Sequence, residues 1–193
     1  MKPLCNTKIV GHHAARACRN CPAGAVAELG VYDGATSLAL RQLCRRDPQY
    51  ALDTFEGMPY DGSATEAAGG FTKGYLTPVD VGASVTALQS AGITVLKGMV
   101  EDTLAQLADE RFAFVFLDLD LEAPTRFATA FLLPRLLPGA RIGYHDYLER
   151  PGYCLGGIAK VVNEFFGASE RYLEVTRDAH PRDNRFIFFE VRA

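Results

Sequence analysis

The sequence predicts a doubly wound α/β domain, a mostly parallel sheet covered by helices on both faces and ending in an antiparallel hairpin. Three observations predict it. Short, nearly continuous apolar runs alternate with segments of helical spacing along most of the 193 residues. The last two strand-like runs have no helix between them, so they can pair only as a hairpin. The first apolar run ends in glycines that let the chain turn into a helix.

The elements follow in order. Residues 1–23 form an N-terminal helical segment, and GAVAELGV (Gly24 to Val31) is the first strand. TSLALRQLC (Thr36 to Cys44) has helical spacing, and YALDTF (Tyr50 to Phe55) reads as the second strand. VGASVTALQSAG (Val81 to Gly92) is a helix closed by glycine. ITVLKG (Ile93 to Gly98) is a strand and DTLAQLA (Asp102 to Ala108) a short helix. FAFVFLDLD (Phe112 to Asp120) is a fully buried strand, and TRFATAFLLPRLL (Thr125 to Leu137) a helix with Pro134 late in it. PGARIGYHDY gives a turn at Pro138–Gly139 and another strand. LGGIAKVVNEFF (Leu155 to Phe166) is amphipathic, and RYLEVTR and RFIFFEVRA are the closing pair around a polar turn. One stretch breaks the alternation. Residues 56–78, rich in glycine and small residues, leave the second strand on its ligand side and read as a mobile lid or a surface loop.

Composition narrows the function. Hydrophobic residues make up 48% and charged residues 22%, as in an ordinary single globular domain. A net charge of −3 argues against nucleic acid as partner. No apolar run is long enough to span a membrane, and no signal-peptide core is seen, so a cytoplasmic location is expected. The cysteines are Cys5, Cys18, Cys21, Cys44 and Cys154, expected as free thiols. Cys18 and Cys21 form a C-x-x-C below His12 and His13, an incomplete zinc pattern that also reads as ordinary helix and loop.

Doubly wound sheets bind ligands beyond the carboxyl ends of their strands. Those ends carry Glu28, Gly30, Gly34 and Ser37, then Asp53, then KGMVEDT, then Asp118, Asp120 and Glu122, then His145 and Asp146. The Gly30–Gly34 spacing is not the dinucleotide fingerprint, and the turn lacks a P-loop lysine. Asp53 suits the two hydroxyls of a ribose. A nucleoside without a pyrophosphate, such as S-adenosylmethionine, fits better than NAD, with Glu28 and Asp53 meeting its cationic and hydroxyl groups. A tight turn with no ligand is the alternative.

Strand alternation would place Asp118 and Asp120 on one face. Asp118, His145 and Asp146 could then hold a divalent cation, Mg²⁺ or, given the imidazole, Mn²⁺, Fe²⁺ or Zn²⁺. A hydroxyl bound there loses its proton more easily, and Asp120 could accept it. The alternative is a solvated acidic edge.

With these residues in view, the chain resembles the macrocin-type sugar O-methyltransferases, a metal-dependent class I methyltransferase family. The blocks AELGVYDGATS, DTFEGMP, KGMVEDTL, FLDLDLEAPT, LLPGARIGYHDY and PGYCLGGIAKVVNEFF carry the resemblance. It implies a Rossmann-like class I fold with a mostly parallel seven-stranded sheet. It implies a methyl donor held by Glu28, Gly30 and Ser37 at its methionine part, by Asp53 at its ribose and by Asp102 near its adenine, with Gly34 of the glycine turn also counted among the donor-binding residues. It implies Mg²⁺ on Asp118, with Asp120 as general base. His145 and Asp146 stand where the family has two aspartates, so His145 is a departure. The implied acceptor is a small hydroxylated molecule, a sugar or natural product, and a homodimer through the N-terminal helix is compatible with the family. Two other readings use the same acids: a metal-dependent hydrolase, and a non-catalytic protein that binds S-adenosylmethionine or another nucleoside.

Overall fold

The computed structural model describes residues 7–21, 23–147, 156–177 and 186–192. Its strands are β1 (Ala25–Leu29), β2 (Gln49–Asp53), β3 (Thr94–Lys97), β4 (Phe112–Leu117), β5 (Leu136–Tyr144), β6 (Tyr172–Arg177) and β7 (Ile187–Val191). They form one sheet in the order β3-β2-β1-β4-β5-β7-β6. The first five run parallel, while β7 is antiparallel to both β5 and β6. The expected hairpin is present at the sheet edge, its second strand inserted beside β5. Its polar turn, Leu155, Cys5 and Cys154 lie outside the described residues.

Helices α1 (Thr7–Asn20), α2 (Ala35–Cys44) and α4 (Val81–Ser90) cover one face. There Val10, Ala14, Ala17 and Leu40 meet Val26, Phe114, Phe116 and Phe188, and Leu88 meets Ala51. Helices α5 (Val100–Ala105), α6 (Glu122–Leu132) and α7 (Gly157–Phe166) cover the other, where Leu104, Leu132 and Val162 share a core with Leu29, Leu52, Val115 and Leu117. Every residue of β4 is buried because both of its faces are covered. Among the described residues no helix is long and apolar enough to cross a membrane.

Two polar groups fasten α1. Arg46 donates to the carbonyls of Cys18 at 2.7 Å, Cys21 at 2.5 Å and Ala23 at 2.9 Å, satisfying acceptors at the helix end. His13 stacks on Phe188 with ring centres 3.9 Å apart. Its Nδ1 accepts from Arg141 at 2.8 Å, and Arg141 pairs with Glu190 at 2.6 Å. The C-x-x-C thiols diverge: Cys18 shares a hydrogen bond with Cys44 on α2, both as free thiols, whereas Cys21 Sγ donates to the Pro138 carbonyl.

Four boundaries differ from the sequence reading. Helix α5 begins at Val100, so Asp102 lies inside it and not at its start. Strand β4 stops at Leu117, before the acids. Helix α6 begins at Glu122, with Pro124 in its first turn, where a missing N–H costs nothing; Pro134 falls in the 3-10 turn Leu133–Arg135 that follows. Pro138–Gly139 make no turn and lie within β5, beside a register shift in its pairing with β4.

Residues 56–78 are folded on themselves. Helix α3 (Ala64–Ala68) carries a capping box of Ser63 and Glu66. Met58 N–H donates to the Tyr75 carbonyl and Gly62 N–H to the Phe71 carbonyl. Met58 and Phe71 pack on Leu121 of the body. The segment covers the carboxyl edge of the sheet.

Candidate active site

The exit of β1 runs hard against the end of β4. Gly30 has φ +85, and a Cβ there would lie 2.0 Å from the Asp118 carbonyl oxygen, so only glycine fits. Gly34, φ 89, starts α2. Asp53 holds the turn between them: its Oδ2 accepts from Val31 N–H at 2.6 Å and Tyr32 N–H at 2.9 Å, and its Oδ1 from Phe55 N–H at 2.7 Å. Glu28 is buried behind the turn and accepts a short hydrogen bond from the Ser37 hydroxyl.

Next to this turn, Asp118 N–H donates to the Leu29 carbonyl and His145 N–H to the Leu117 carbonyl. These bonds carry the sheet's pairing one residue past the strands and set Asp118 and His145 side by side. His145 Nδ1 lies 2.8 Å from Asp118 Oδ1 and 3.2 Å from Asp146 Oδ2, and all three side chains are buried. Burial alone would lower the imidazole's pKa, but the two carboxylates overcome it and push it up to about 10. Asp120 does not share a strand face with Asp118. It sits in a left-handed turn, φ 63, closed by Leu121 N–H on the Leu119 carbonyl, and this turn brings it to the cleft wall. Glu122 points away, toward Arg126 at 2.8 Å and Lys160 at 3.4 Å.

Asp118, His145 and Asp146 each offer one atom able to ligate a metal ion, and these atoms lie within 4.8 Å of one another. They form the one such group of His, Cys, Asp or Glu among the described residues, and Cys18 and Cys21 are not part of it. Neighbouring ligands of a six-coordinate cation with bonds of ~2.1 Å stand roughly 3 Å apart. Here the imidazole meets both carboxylates at hydrogen-bond distance, 2.8 and 3.2 Å, so it would give up its Nδ1 proton on binding an ion, and the mixed oxygen and nitrogen set suits Mn²⁺, Fe²⁺ or Zn²⁺ as well as Mg²⁺.

A cleft partly open to solvent runs from the glycine turn to Asp118, and His145 and Asp146 stand behind its lining. Gly30, Asp53, Asp118 and Asp120 line it. Glu28, Gly34 and Ser37 stand behind the lining, and Asp102 is exposed on α5. At that wall the lining residues are Met99, Glu101 and Thr103, which the sequence reading missed because it started α5 too late. Glu101 Oε2 is out of solvent's reach and has no hydrogen-bond partner among the described residues. Tyr60 and Tyr75 of the cover segment line the cleft, whereas Phe71 is packed into its own cluster. Tyr144 and Tyr147 are both in the core, and the Tyr144 hydroxyl is hydrogen-bonded to Thr129.

A protein from Streptomyces olivaceus, 8-demethyl-8-(2,3-dimethoxy-alpha-L-rhamnosyl)-tetracenomycin-C 4'-O-methyltransferase, is 30% identical over 138 residues. That match covers 64% of this chain and 53% of the relative, so the chain spans about half the relative's length. The solved structure of CalS11, a calicheamicin methyltransferase, superposes with a TM-score of 0.75 at 18% identity, over 96% of this chain and 78% of that one. The O-methyltransferase TomG of Streptomyces achromogenes, solved in complex with SAM, gives 0.65 at 15% identity, over 97% and 79%. At such identities the likeness establishes a shared Rossmann-like methyltransferase fold. The model of the methyltransferase domain family matches residues 27–147, which take in the glycine turn, Asp53, the acids and His145. On that match, the chain belongs to the methyltransferase domain family.

Proposed function

We propose that the chain is an S-adenosylmethionine-dependent O-methyltransferase that uses a divalent cation to methylate a hydroxyl of a small hydroxylated acceptor, a sugar or a natural product. One observation carries the reading. A single cleft is lined by Asp53, at its ribose end, by Asp120 and by Asp118, the member of the Asp118–His145–Asp146 group that reaches it. The relative's printed activity on a rhamnosyl hydroxyl supports the acceptor class.

Asp53 has room for more than its three backbone donors, since a carboxylate offers about four lone-pair sites. Glu101 Oε2 supplies the acceptor that a purine amino group would need. The buried pair Glu28 and Ser37 sets the glycine turn on which the donor's methionine part would rest. The donor supplies an electrophilic methyl group on a sulfonium centre. Asp118, His145 and Asp146 would hold the cation, which would orient two neighbouring acceptor oxygens and lower the pKa of the attacking one. Asp120, at the cleft wall, takes the proton from that hydroxyl. Tyr60 and Tyr75 exclude water above the reacting atoms.

The test is calorimetric titration of S-adenosylmethionine and S-adenosylhomocysteine with Mg²⁺, with Mn²⁺ and after chelation. Micromolar binding of either nucleoside supports the class, and a cation-dependent heat supports the metal group. No binding under any condition sinks the reading in favour of metal-dependent hydrolysis or a non-catalytic role.

A further inference from the structure

Glu66 sits on α3, inside the cover segment, and is buried. Both of its carboxylate oxygens are engaged. Oε2 accepts from Ser63 N–H at 2.7 Å, the local half of the capping box. Oε1 reaches far along the chain and accepts from Glu122 N–H at 2.8 Å. Glu122 is the first residue of α6, and the residue before it, Leu121, makes no side-chain cap. The cover segment therefore supplies the capping carboxylate that α6 lacks, at the helix end where negative charge is favoured. Gly157 leaves room for the contact, since a Cβ there would stand 3.2 Å from Glu66 Oε1 and 3.0 Å from Glu122 Cβ.

The capped helix end adjoins the acids. Asp120 lies two residues before Glu122 and holds a left-handed backbone, φ 63. A non-glycine residue keeps that conformation only where its surroundings fix it. Leu121, between them, is wedged against Met58 and Phe71 of the cover. A carboxylate contact and an apolar contact thus tie the cover to the two residues that follow Asp120.

We infer that Glu66 is a positioning residue of the methyl-transfer site: by capping α6 from the cover segment it fixes the closed cover and the Asp120 turn as one unit. The consequence for donor binding rests on the proposed methyl transfer. The consequence for the cover does not.

Trypsin reads the cover directly. Lys73 lies within it and is the one lysine or arginine between Arg46 and Lys97. Its N–H is held by Asp61 at 2.8 Å, so cleavage after it requires local opening. Glu66→Ala is expected to speed cleavage after Lys73 by about tenfold or more, with cleavage elsewhere and the melting temperature little changed. Glu66→Gln keeps one acceptor oxygen and is expected to fall between the two, and it carries the comparison if the alanine variant does not fold. S-adenosylhomocysteine is the second probe, because Tyr60 and Tyr75 of the cover line its cleft. Its affinity is expected to drop about tenfold in Glu66→Ala and to be partly restored in Glu66→Gln. Unchanged cleavage after Lys73 overturns the inference. So does cleavage that rises equally at all sites with a falling melting temperature, which makes Glu66 a general support of the fold. If the unaltered protein does not bind S-adenosylhomocysteine, the methyltransferase reading fails while the trypsin comparison still decides the latch.

Discussion

Replacing Asp53 with asparagine tests the donor site at the residue where structure and proposed chemistry overlap most. The carboxylate accepts three backbone N–H groups, two on Oδ2 and one on Oδ1. An asparagine has a single acceptor oxygen. Placed toward Val31 and Tyr32, it turns its amide hydrogens on Phe55 N–H; placed the other way, it strands two donors in place of one. Each hydrogen bond to a charged group contributes about 1.5–3 kcal/mol, so the gentler placement already costs roughly 2–3 kcal/mol. Where the same carboxylate also grips a ribose, losing a hydrogen bond of that size to the ligand weakens donor binding about 30- to 150-fold. Calorimetry with S-adenosylhomocysteine measures the affinity, and urea unfolding measures how much of the loss belongs to the fold. Affinity within about threefold of the unaltered protein would refute the assignment, because the ribose could then not depend on Asp53.

Other substitutions separate the remaining roles. Asp120→Asn should leave donor and cation binding intact and lower turnover about 10²- to 10⁴-fold; loss of donor binding instead would make Asp120 structural. His145→Asp should raise Mg²⁺ affinity about tenfold or more relative to Zn²⁺, measured by competition with Mn²⁺; an unchanged metal preference would place the imidazole outside the coordination sphere. His13 should govern acid stability. Burial first, then the charges of Arg141, His12 and Arg16, hold its pKa down to about 3. The unfolded chain therefore takes up this proton first, so the stability is complete above about pH 6.5 and is lost as pH falls toward 3, by up to ~1.4 kcal/mol per unit. Urea midpoints from pH 7 to 4 should fall less steeply in His13→Gln, and parallel slopes would refute this.

The fold was readable because its signals are periodic and strong. Unbroken apolar runs such as FAFVFL exist only where both faces of a strand are covered, and a parallel sheet then gathers every carboxyl end at one edge. That topology alone brought Gly30, Asp53, Asp118 and His145 together. What stayed hidden depended on local backbone choices that leave little trace in residue type. Nothing in the sequence shows that β4 ends at Leu117, or that Asp120 turns left-handed immediately after it. Helix α5 begins after Met99 without a side-chain cap, so its start carried no signal, and the reading singled out the exposed Asp102 where Glu101 lines the cleft. Tyr147 follows Asp146, which is also left-handed at φ 53, and that turn sends the ring back into the core. The capping box of Ser63 and Glu66 has a local spacing that a reader can find, but its second bond, to Glu122, crosses from one element to another and has none.

The way α1 is fastened limits how this chain can associate. Its apolar side, Val10, Ala14 and Ala17, is already spent on the sheet. What it shows outward is Lys8, His12, Arg16 and Arg19, with no acidic residue anywhere in the helix. A twofold contact through this surface would set like charges against each other, and the repulsion would ease only as salt is added. Trimming the helix away to remove that surface would uncover Phe114, Phe116 and Phe188 and leave a sheet face that precipitates in place of one that repels.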